Sequence, residues 1–528
     1  MKIDTTLSAG HQGGLLRAFC QDRRANTAMM FAIMLLPILV VAGASIDFAR
    51  QNTMKFKAQS ALDAAILQAA LQPENTNDND LTSGARAYFD TEMGQDVIVV
   101  NGFSVTRSGD TFVASMVGST DATLLGLIGI SSLPISASSE VKMSERKFEV
   151  ALALDTTGSM AGNKLASLKT SATQLVDRLS TATTASDGVK FSVVPFAATV
   201  RVGSDKEAEQ WMDDAGKSKR SADNLIANVN RFALMDHLNK DWTGCVEARL
   251  PPYDVTDEVA TNSDPDTLFA PVFVPDDLDS KWLYPNTYVN DVATVGTMLD
   301  KIGNVKKYGI MSSADAAFPN KWSTVSTQTP YKFYSDSNNY SGPNSICESE
   351  ELLPLTTNVS KVKSKIGALV AAGSTNTTEG VMWAWRSLSH DVPFTEGAPK
   401  SNKNVDKIIV LLSDGNNHVN YRSDARGSDY FAYGYINNGN LPGAPAGSTQ
   451  QTIWDAMDAR TLEACTNAKA DGVIIYTIRL ELADSRSDNL LRGCATSDSH
   501  YLDVPDADQL DEAFAKISND ILQLYLSK

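Results

Sequence analysis

Two apolar segments, Phe148–Asp155 and Lys407–Asp414, each have the length of a β-strand and end in an aspartate. Three more short apolar segments are predicted as strands: Lys190–Ala197, Val473–Leu480 and His500–Val504. Helical patterns lie between the first four of these segments in chain order, and buried strands that alternate with helices are typical of a parallel sheet covered by helices. The sequence therefore predicts an α/β fold over residues 148–528, with a doubly wound, mostly parallel sheet.

Two long segments interrupt this alternation. The longer one, from about Ser204 to Pro354, is rich in proline and aromatic residues. It is predicted to be an insertion with structure of its own, because a structureless loop of that length is uncommon. Its aromatic side chains fit either an exposed adhesive surface or a small core, and we expect the core. The shorter segment, Asn416–Gln451, is rich in glycine, asparagine and tyrosine.

Three polar motifs stand where ligands bind in open α/β sheets, at the carboxyl ends of strands. Asp155, Thr157 and Ser159 alternate directly after the first strand, a polar turn spans Gly373–Gly380, and Asp414 ends the central strand. Hydroxyls and carboxylates from separate strand ends form a set of oxygen ligands, which suits a hard divalent cation such as Mg²⁺. The sequence therefore predicts a metal site at this edge of the sheet.

The three motifs D-x-T-G-S, T-x-x-x-E-G and S-D-G, in this order, resemble the von Willebrand factor type A domain and its metal-ion-dependent adhesion site. The likeness covers residues 148–203 and 355–525, with the long insertion between them. It implies a type A fold that binds a divalent metal ion, with Mg²⁺ expected and Mn²⁺ or Ca²⁺ as alternatives.

The resemblance assigns a role to each of five side chains. Thr157 and Ser159 bind the ion directly through their hydroxyls, and Thr375 matches the family's mobile threonine. Asp155 and Asp414 act mainly through bound water. Thr157 stands where many members have serine, which preserves the hydroxyl. One coordination position is left for an acidic side chain of a protein partner.

Several other classes of protein are excluded or disfavoured. The sequence has neither a G-x-x-x-x-G-K-[ST] phosphate loop nor a G-x-S-x-G nucleophile elbow. The net charge of −17 disfavours a general nucleic-acid binder. His418 fits either the metal site or a loop surface, and the surface is expected. The acidic residues between Asp254 and Asp279 lack the order of an EF-hand, so a solvated face is expected rather than a Ca²⁺ site.

Residues Thr27–Ile46 carry no charge over twenty positions, which is about 30 Å of helix and matches a bilayer. Two arginines directly precede this stretch, so the positive-inside rule places residues 1–24 in the cytoplasm and the rest of the chain outside it. We predict a transmembrane helix at 25–48. The alternatives are a cleaved secretory signal with its site near Gly43 and the buried helix of a soluble core.

Cysteine placement agrees with export. Cys20 lies before the apolar stretch, and the other four cysteines lie after it. In an oxidising compartment these four form two disulfides, with three possible connectivities. The pairs Cys245–Cys347 and Cys465–Cys494 are favoured because each then stays within one region. Four buried thiols are the alternative.

Residues 49–94 are predicted as an alanine-rich helical stalk, and residues 95–147 as a small β-rich module. The sequences RRANTAMMFAIMLLPILVVAGASIDFARQ and QSALDAAILQAAL are similar to the N-terminal region of the TadG-like Flp-pilus (tight-adherence) assembly family. Many members of that family continue with a strand module and a type A domain. Ala25 stands where a glycine often follows the basic pair, so prepilin-peptidase processing is not expected.

Together the two resemblances imply a single-pass protein of the bacterial inner membrane, with a cytoplasmic N-terminus and a periplasmic or extracellular head. The head would bind a pilus or assembly component through the metal, with no enzymatic activity. One alternative is a structural tether or adhesin that acts through the insertion at 204–354 and leaves the metal site unused. Another is a periplasmic hydrolase, which is disfavoured because no general base accompanies the site.

Overall fold

The computed structural model describes residues 23–72, 76–94, 98–109, 111–142, 147–182, 187–225, 229–277, 286, 288, 308 and 342–526. Most of the predicted cytoplasmic segment and the middle of the long insertion lie outside these residues. The chain divides into two compact units, Met1–Ser144 and Glu145–Lys528.

The first unit begins with a helix of 48 residues, α1 (Arg23–Ala70), which continues through Pro37. Among the described residues, this is the one helix long and apolar enough to cross a membrane. Its apolar side chains are largely exposed, with Phe31 at 65% and Ile38 at 61%. This exposure disagrees with the alternative of a soluble core helix, whose apolar residues would be packed against protein.

A second helix, α2 (Asp78–Met93), lies within the segment 49–94 that was predicted as a helical stalk. The Asn77 side chain accepts a hydrogen bond from the Asp80 amide and caps this helix. Three antiparallel strands complete the unit in the order β1 (Val99–Ser108), β2 (Thr111–Asp121) and β3 (Ser132–Lys142). Small and apolar side chains of α1 pack against α2 and the sheet: Ala58, Ala61, Leu62, Ala65, Ile66 and Ala69.

The second unit is built on a six-stranded sheet. In chain order its strands are β4 (Lys147–Asp155), β5 (Val189–Phe196), β6 (Leu353–Thr356), β7 (Val405–Ser413), β8 (Ile474–Leu480) and β9 (Tyr501–Val504). Their spatial order is β6-β5-β4-β7-β8-β9. Every neighbouring pair is parallel except β5–β6, so the predicted mostly parallel sheet is confirmed. The short edge strand β6 was not predicted, because four residues give too little pattern.

Helices cover both faces of this sheet, and two short helices, α4 and α5, lie in the long insertion. In chain order the helices are α3 (Asn163–Ala182), α4 (Lys219–Ala222), α5 (Arg231–His237), α6 (Val359–Ala368), α7 (Thr377–Ser387), α8 (Gln450–Ala470), α9 (Ser485–Cys494) and α10 (Leu510–Leu526). Alternate residues of β4 enter different cores: Leu152 packs with side chains of α3, α6 and α10, whereas Ala153 packs with those of α7 and α8. The helix α9 lies in a segment without a predicted element.

The described part of the long insertion forms a core continuous with that of the sheet. Trp211, Phe232 and Phe269 are at most 4% exposed and belong to the same cluster as Trp383 of α7. For the described residues, the structure therefore agrees with a small core rather than an exposed aromatic surface. The favoured disulfides, Cys245–Cys347 within the insertion and Cys465–Cys494 between α8 and α9, are both present.

Candidate metal centre

The candidate site lies where two neighbouring strands end. The strands β4 and β7 pair in parallel with Leu154 opposite Leu412, so Asp155 and Asp414 emerge at the same edge of the sheet. Both carboxylates are buried, at 0% and 3% exposure. The apolar strands on both sides force this burial, and the polar loops that follow supply the hydrogen-bond partners that a buried carboxylate needs.

Hydroxyl groups link the two carboxylates. The Thr157 hydroxyl donates to Asp155 Oδ1 at 2.6 Å and lies 3.0 Å from the Ser159 hydroxyl. Ser159 donates in turn to Asp414 Oδ1 at 2.7 Å. Four of the five side chains predicted from the sequence are therefore joined in one hydrogen-bonded chain.

Thr375, the fifth predicted residue, is 5% exposed and lies beside this chain on the loop before α7. A Cβ built on Gly415 would lie 3.2 Å from the Thr375 hydroxyl and 3.6 Å from that of Ser159. Gly415 therefore leaves open the space between these two hydroxyls. The five side chains gather from three loops, as expected for residues at the carboxyl edge of a parallel sheet.

Backbone hydrogen bonds hold the three loops together. The Gly158 amide donates to the Gly373 carbonyl at 3.0 Å, which ties the loop after β4 to the loop before α7. Gly373 has φ +82°, a backbone conformation that residues with a side chain rarely adopt, and an added Cβ would also crowd the Glu348 carboxylate, so this position favours glycine. The His418 amide donates to the Thr375 carbonyl at 2.9 Å and ties in the loop after β7.

His418 contributes its backbone rather than its ring to this arrangement. The imidazole is half-buried against Trp454, with ring centroids 5.5 Å apart. Burial lowers the pKa of His418, and the nearby Arg486 lowers it further. The ring thus packs against Trp454 and is partly exposed, which is close to the expectation that His418 lies on a loop surface.

Two residues that the sequence did not assign to the site touch its carboxylates. Ser413 donates to Asp155 Oδ2 at 2.6 Å. The Lys164 ammonium lies 2.7 Å from Asp414 Oδ2 and 3.6 Å from a Glu481 carboxylate oxygen. Lys164 stands in the first turn of α3. A cation there is unfavourable with the helix dipole unless it has an acidic partner, so its position in the sequence could have indicated such a partner.

Burial is the main cause of the unusual electrostatics of Asp155. It raises the pKa of Asp155 to about 6, and the negative charge of Asp414 adds to the rise. The hydrogen bonds from Ser413 and Thr157 oppose it. A divalent cation near both carboxylates would relieve their mutual repulsion and so favour the ionised form.

The donor set fits a hard divalent cation. It consists of three hydroxyls and two carboxylates, all oxygen ligands of the kind that Mg²⁺, Mn²⁺ and Ca²⁺ take. Thr157, Ser159 and Thr375 would offer hydroxyl oxygens, while Asp155 and Asp414 would supply negative charge. The Ser159 side chain is exposed, so a ligand from another protein can approach the site from that side.

The acidic stretch of the insertion is organised differently. Asp254 accepts hydrogen bonds from Arg460 at 2.6 and 2.8 Å and is 1% exposed, and Asp277 pairs with Arg426 at 2.6 Å. These two carboxylates are therefore buried partners of arginine rather than part of the solvated face expected from the sequence. In the described part of the chain, no group of three or more histidine, cysteine, aspartate or glutamate residues has a metal-binding arrangement.

The N-terminal helix is similar to a known protein family. Residues 25–72 match the model of the Flp pilus-assembly TadE/G-like family. The match covers 48 of the 528 residues of the chain. The likeness inferred from the double arginine, the apolar stretch and the alanine-rich helix is thereby confirmed over α1. No curated protein matches the sequence.

Among solved structures, the chain is similar to three proteins of bacterial pili. They are the von Willebrand factor domain of the type V pili tip protein Mfa5 from Porphyromonas gingivalis (12% identity, TM-score 0.32), the adhesive tip pilin GBS104 from Streptococcus agalactiae (12%, 0.33) and the pilus adhesin SpaC from Lactobacillus rhamnosus GG (11%, 0.33). The alignments cover 72%, 71% and 81% of this chain and 96%, 100% and 34% of the respective structures.

Proposed function

We propose that this protein is a non-enzymatic, membrane-anchored component of a bacterial tight-adherence (Flp) pilus system. Its type A head would bind a protein partner through a divalent metal ion at the carboxyl edge of the sheet. The pilus assignment is supported by the family match at residues 25–72. A span within 25–48 agrees with the exposed apolar side chains of α1. The two arginines before it would place the N-terminus in the cytoplasm and the head in the periplasm or outside the cell.

The observation that carries the binding role is the hydrogen-bonded chain of Asp155, Thr157, Ser159 and Asp414 beside Thr375. Such a group of buried carboxylates and hydroxyls at a loop edge resembles a metal-ion-dependent adhesion site. When bound, the ion would supply a positive centre with a position open to solvent. An acidic side chain of a pilus or assembly component would complete the coordination there.

The test is calorimetric titration of Mg²⁺ and of Mn²⁺ into the full-length protein in detergent. The wild type is expected to bind about one equivalent, and Asp414→Ala is expected to abolish binding because it removes one of two charges at the site. Asp498→Ala is the matched control, since this 87% exposed carboxylate lies before β9, at the opposite edge of the sheet. Equal binding by all three proteins would refute the metal site.

A second candidate function is a structural tether or adhesin that acts through the insertion and leaves the metal site unused. The observation that favours it is the ion pair of Lys164 with Asp414, which already places a positive charge on one carboxylate. This alternative predicts no metal binding by the wild type at millimolar metal. It also predicts that Asp414→Ala leaves pilus function intact in cells, whereas the first candidate predicts its loss.

A further inference from the structure

The connection between β2 and β3 forms an apolar tip, defined here as residues 122–131. It contains one turn of 3₁₀-helix, Leu125–Ile128. Leu124, Ile128 and Ile130 expose 38%, 51% and 43% of their surface. The sequence carries no charge from Ala122 to Ser139. Exposed aliphatic side chains within an uncharged segment mark this tip as an interaction surface.

The tip is fixed to α1 by Asp47. The Asp47 carboxylate accepts hydrogen bonds from the backbone amides of Thr123, Leu124 and Leu125 at 3.2, 2.8 and 2.7 Å. A Cβ on Gly43 would lie 2.9 Å from the Leu124 Cβ, so glycine allows the tip to approach the helix closely. The tip therefore sits beside the C-terminal end of the apolar stretch of α1.

This contact also removes a charge from the surface. Asp47 is the one charged residue between Arg24 and Arg50, and its side chain is 3% exposed beneath the tip. On either side of it, Ile46 and Phe48 expose 58% and 51% of their surface. An apolar surface therefore continues from α1 onto the tip, and the Arg50 guanidinium borders it, 2.8 Å from the Thr123 hydroxyl.

Most backbone amides of the tip are hydrogen-bonded within the first unit. Besides the three amides bound to Asp47, the amide of Ala122 donates to the Ser131 carbonyl, that of Gly129 to Gly126 and that of Ile130 to Leu125. Unpaired amides are too costly to transfer from water to lipid, so a turn that enters a bilayer must pair them internally. The tip meets this requirement over most of its amides.

We propose that the tip inserts its aliphatic side chains into the lipid bilayer beside the α1 span, as a second membrane contact of the first unit. The proposal rests on the anchoring stated under the proposed function. The tip is proposed to contact lipid rather than a second protein. The reason is that its surface is continuous with the apolar stretch of α1 and lies beside the C-terminal end of that stretch. The tip would hold the three-stranded sheet against the membrane surface.

The test uses the full-length protein in vesicles of phosphatidylcholine and phosphatidylglycerol, with Cys20→Ser to remove the cysteine outside the two disulfides. A polarity-sensitive fluorophore is attached to Ile128→Cys and, in a second variant, to Ile130→Cys. Met34→Cys reports on the span. Ser108→Cys is the matched control, since this exposed residue lies at the opposite end of the sheet, about 30 Å along β2.

Nitroxide groups on the lipid chains then quench labels that contact lipid. The proposal predicts quenching and blue-shifted emission at positions 34, 128 and 130, and water-like emission without quenching at position 108. Quenching at position 34 alone would overturn the tip proposal and leave the anchor standing, whereas no quenching at any position would refute the anchor as well. Blue-shifted emission at 128 and 130 without quenching by lipid would mean that protein covers the tip, and would also overturn the proposal.

Discussion

The ammonium of Lys164 lies 2.7 Å from Asp414 Oδ2, while the other oxygen of the same carboxylate accepts a hydrogen bond from Ser159. Lys164 is 22% exposed and comes from the first turn of α3. The positive charge of Lys164 is thus paired with one of the two carboxylates that are proposed to attract the metal. An incoming cation must share Asp414 with it or displace it.

Removing this competing charge is expected to tighten metal binding. Lys164→Gln keeps a side chain able to donate to Asp414, and we expect the Kd for Mg²⁺ to fall about threefold to tenfold, the scale of one partly exposed ion pair. Lys169→Gln is the control, since Lys169 lies on the same helix and donates to the Gly367 carbonyl instead. Calorimetry on the full-length proteins measures the change, and a weaker affinity for Lys164→Gln would contradict it.

Loss of the Ser413 hydroxyl is expected to destabilise the head. Ser413 donates to the buried Asp155 carboxylate at 2.6 Å, so Ser413→Ala leaves a buried charged oxygen without this donor and should lower the free energy of unfolding by about 1–3 kcal/mol. Ser518→Ala is the matched control, because this buried serine donates to the Phe514 carbonyl within a helix. Denaturant unfolding without metal compares the two variants. Equal losses in the free energy of unfolding would show that the hydrogen bond to Asp155 contributes no more than the one to Phe514.

The disulfide between Cys465 and Cys494 closes a loop of 29 residues between α8 and α9. Replacing both cysteines with alanine is expected to lower the free energy of unfolding by about 3–4 kcal/mol, because the unfolded chain regains the entropy that the link removes. Denaturant titration under oxidising conditions measures this loss. If the double variant unfolds at the same denaturant concentration as the wild type, the link does not stabilise the fold.

The stability of the head is expected to depend on pH through Glu379. It is 1% exposed, receives a hydrogen bond from the Trp383 indole at 3.0 Å, and burial raises its pKa even against the nearby charge of Arg386. Its contribution to stability is therefore fully present below its unfolded-state pKa near 4.5, and is lost as the pH rises through the higher folded-state value.

The variant Glu379→Gln removes this titration while keeping an acceptor for Trp383. We expect the stability of the wild type relative to this variant to increase as the pH falls from 7 towards 4.5. Thermal or denaturant unfolding at several pH values measures the difference, with Glu512→Gln on the exposed surface of α10 as the control. A difference that is constant with pH would show that Glu379 does not titrate in this way.

The sheet of the second unit was predictable because its strands are apolar on both faces, a pattern that few other structures produce. Parallel strands end at the same edge of a sheet, so the strand assignment placed Asp155 and Asp414 at that edge. Their direct proximity depends on β4 and β7 being neighbours, which the structure shows. The cysteine pairs followed from their separation along the chain.

Other features depend on contacts between distant segments and have no local pattern. Lys164 meets Asp414 across 250 residues, and Asp47 meets the tip across 76 to 78 residues. The buried pair of Asp254 with Arg460 likewise joins the insertion to α8, and composition alone made that acidic stretch look solvent-exposed. The sequence indicated the residues at the carboxyl edge of the sheet, but not the basic side chains that pair with the acidic ones.

The helix α1 continues for 48 residues without a break, about 72 Å at the rise of an α-helix. Its first half exposes apolar side chains, and its second half packs against the three-stranded sheet from Ala58 to Ala69. No loop separates the two halves to absorb a rotation. Any tilt or twist of the first half is therefore transmitted to the sheet, and a pull on the sheet is transmitted along the helix to its other end.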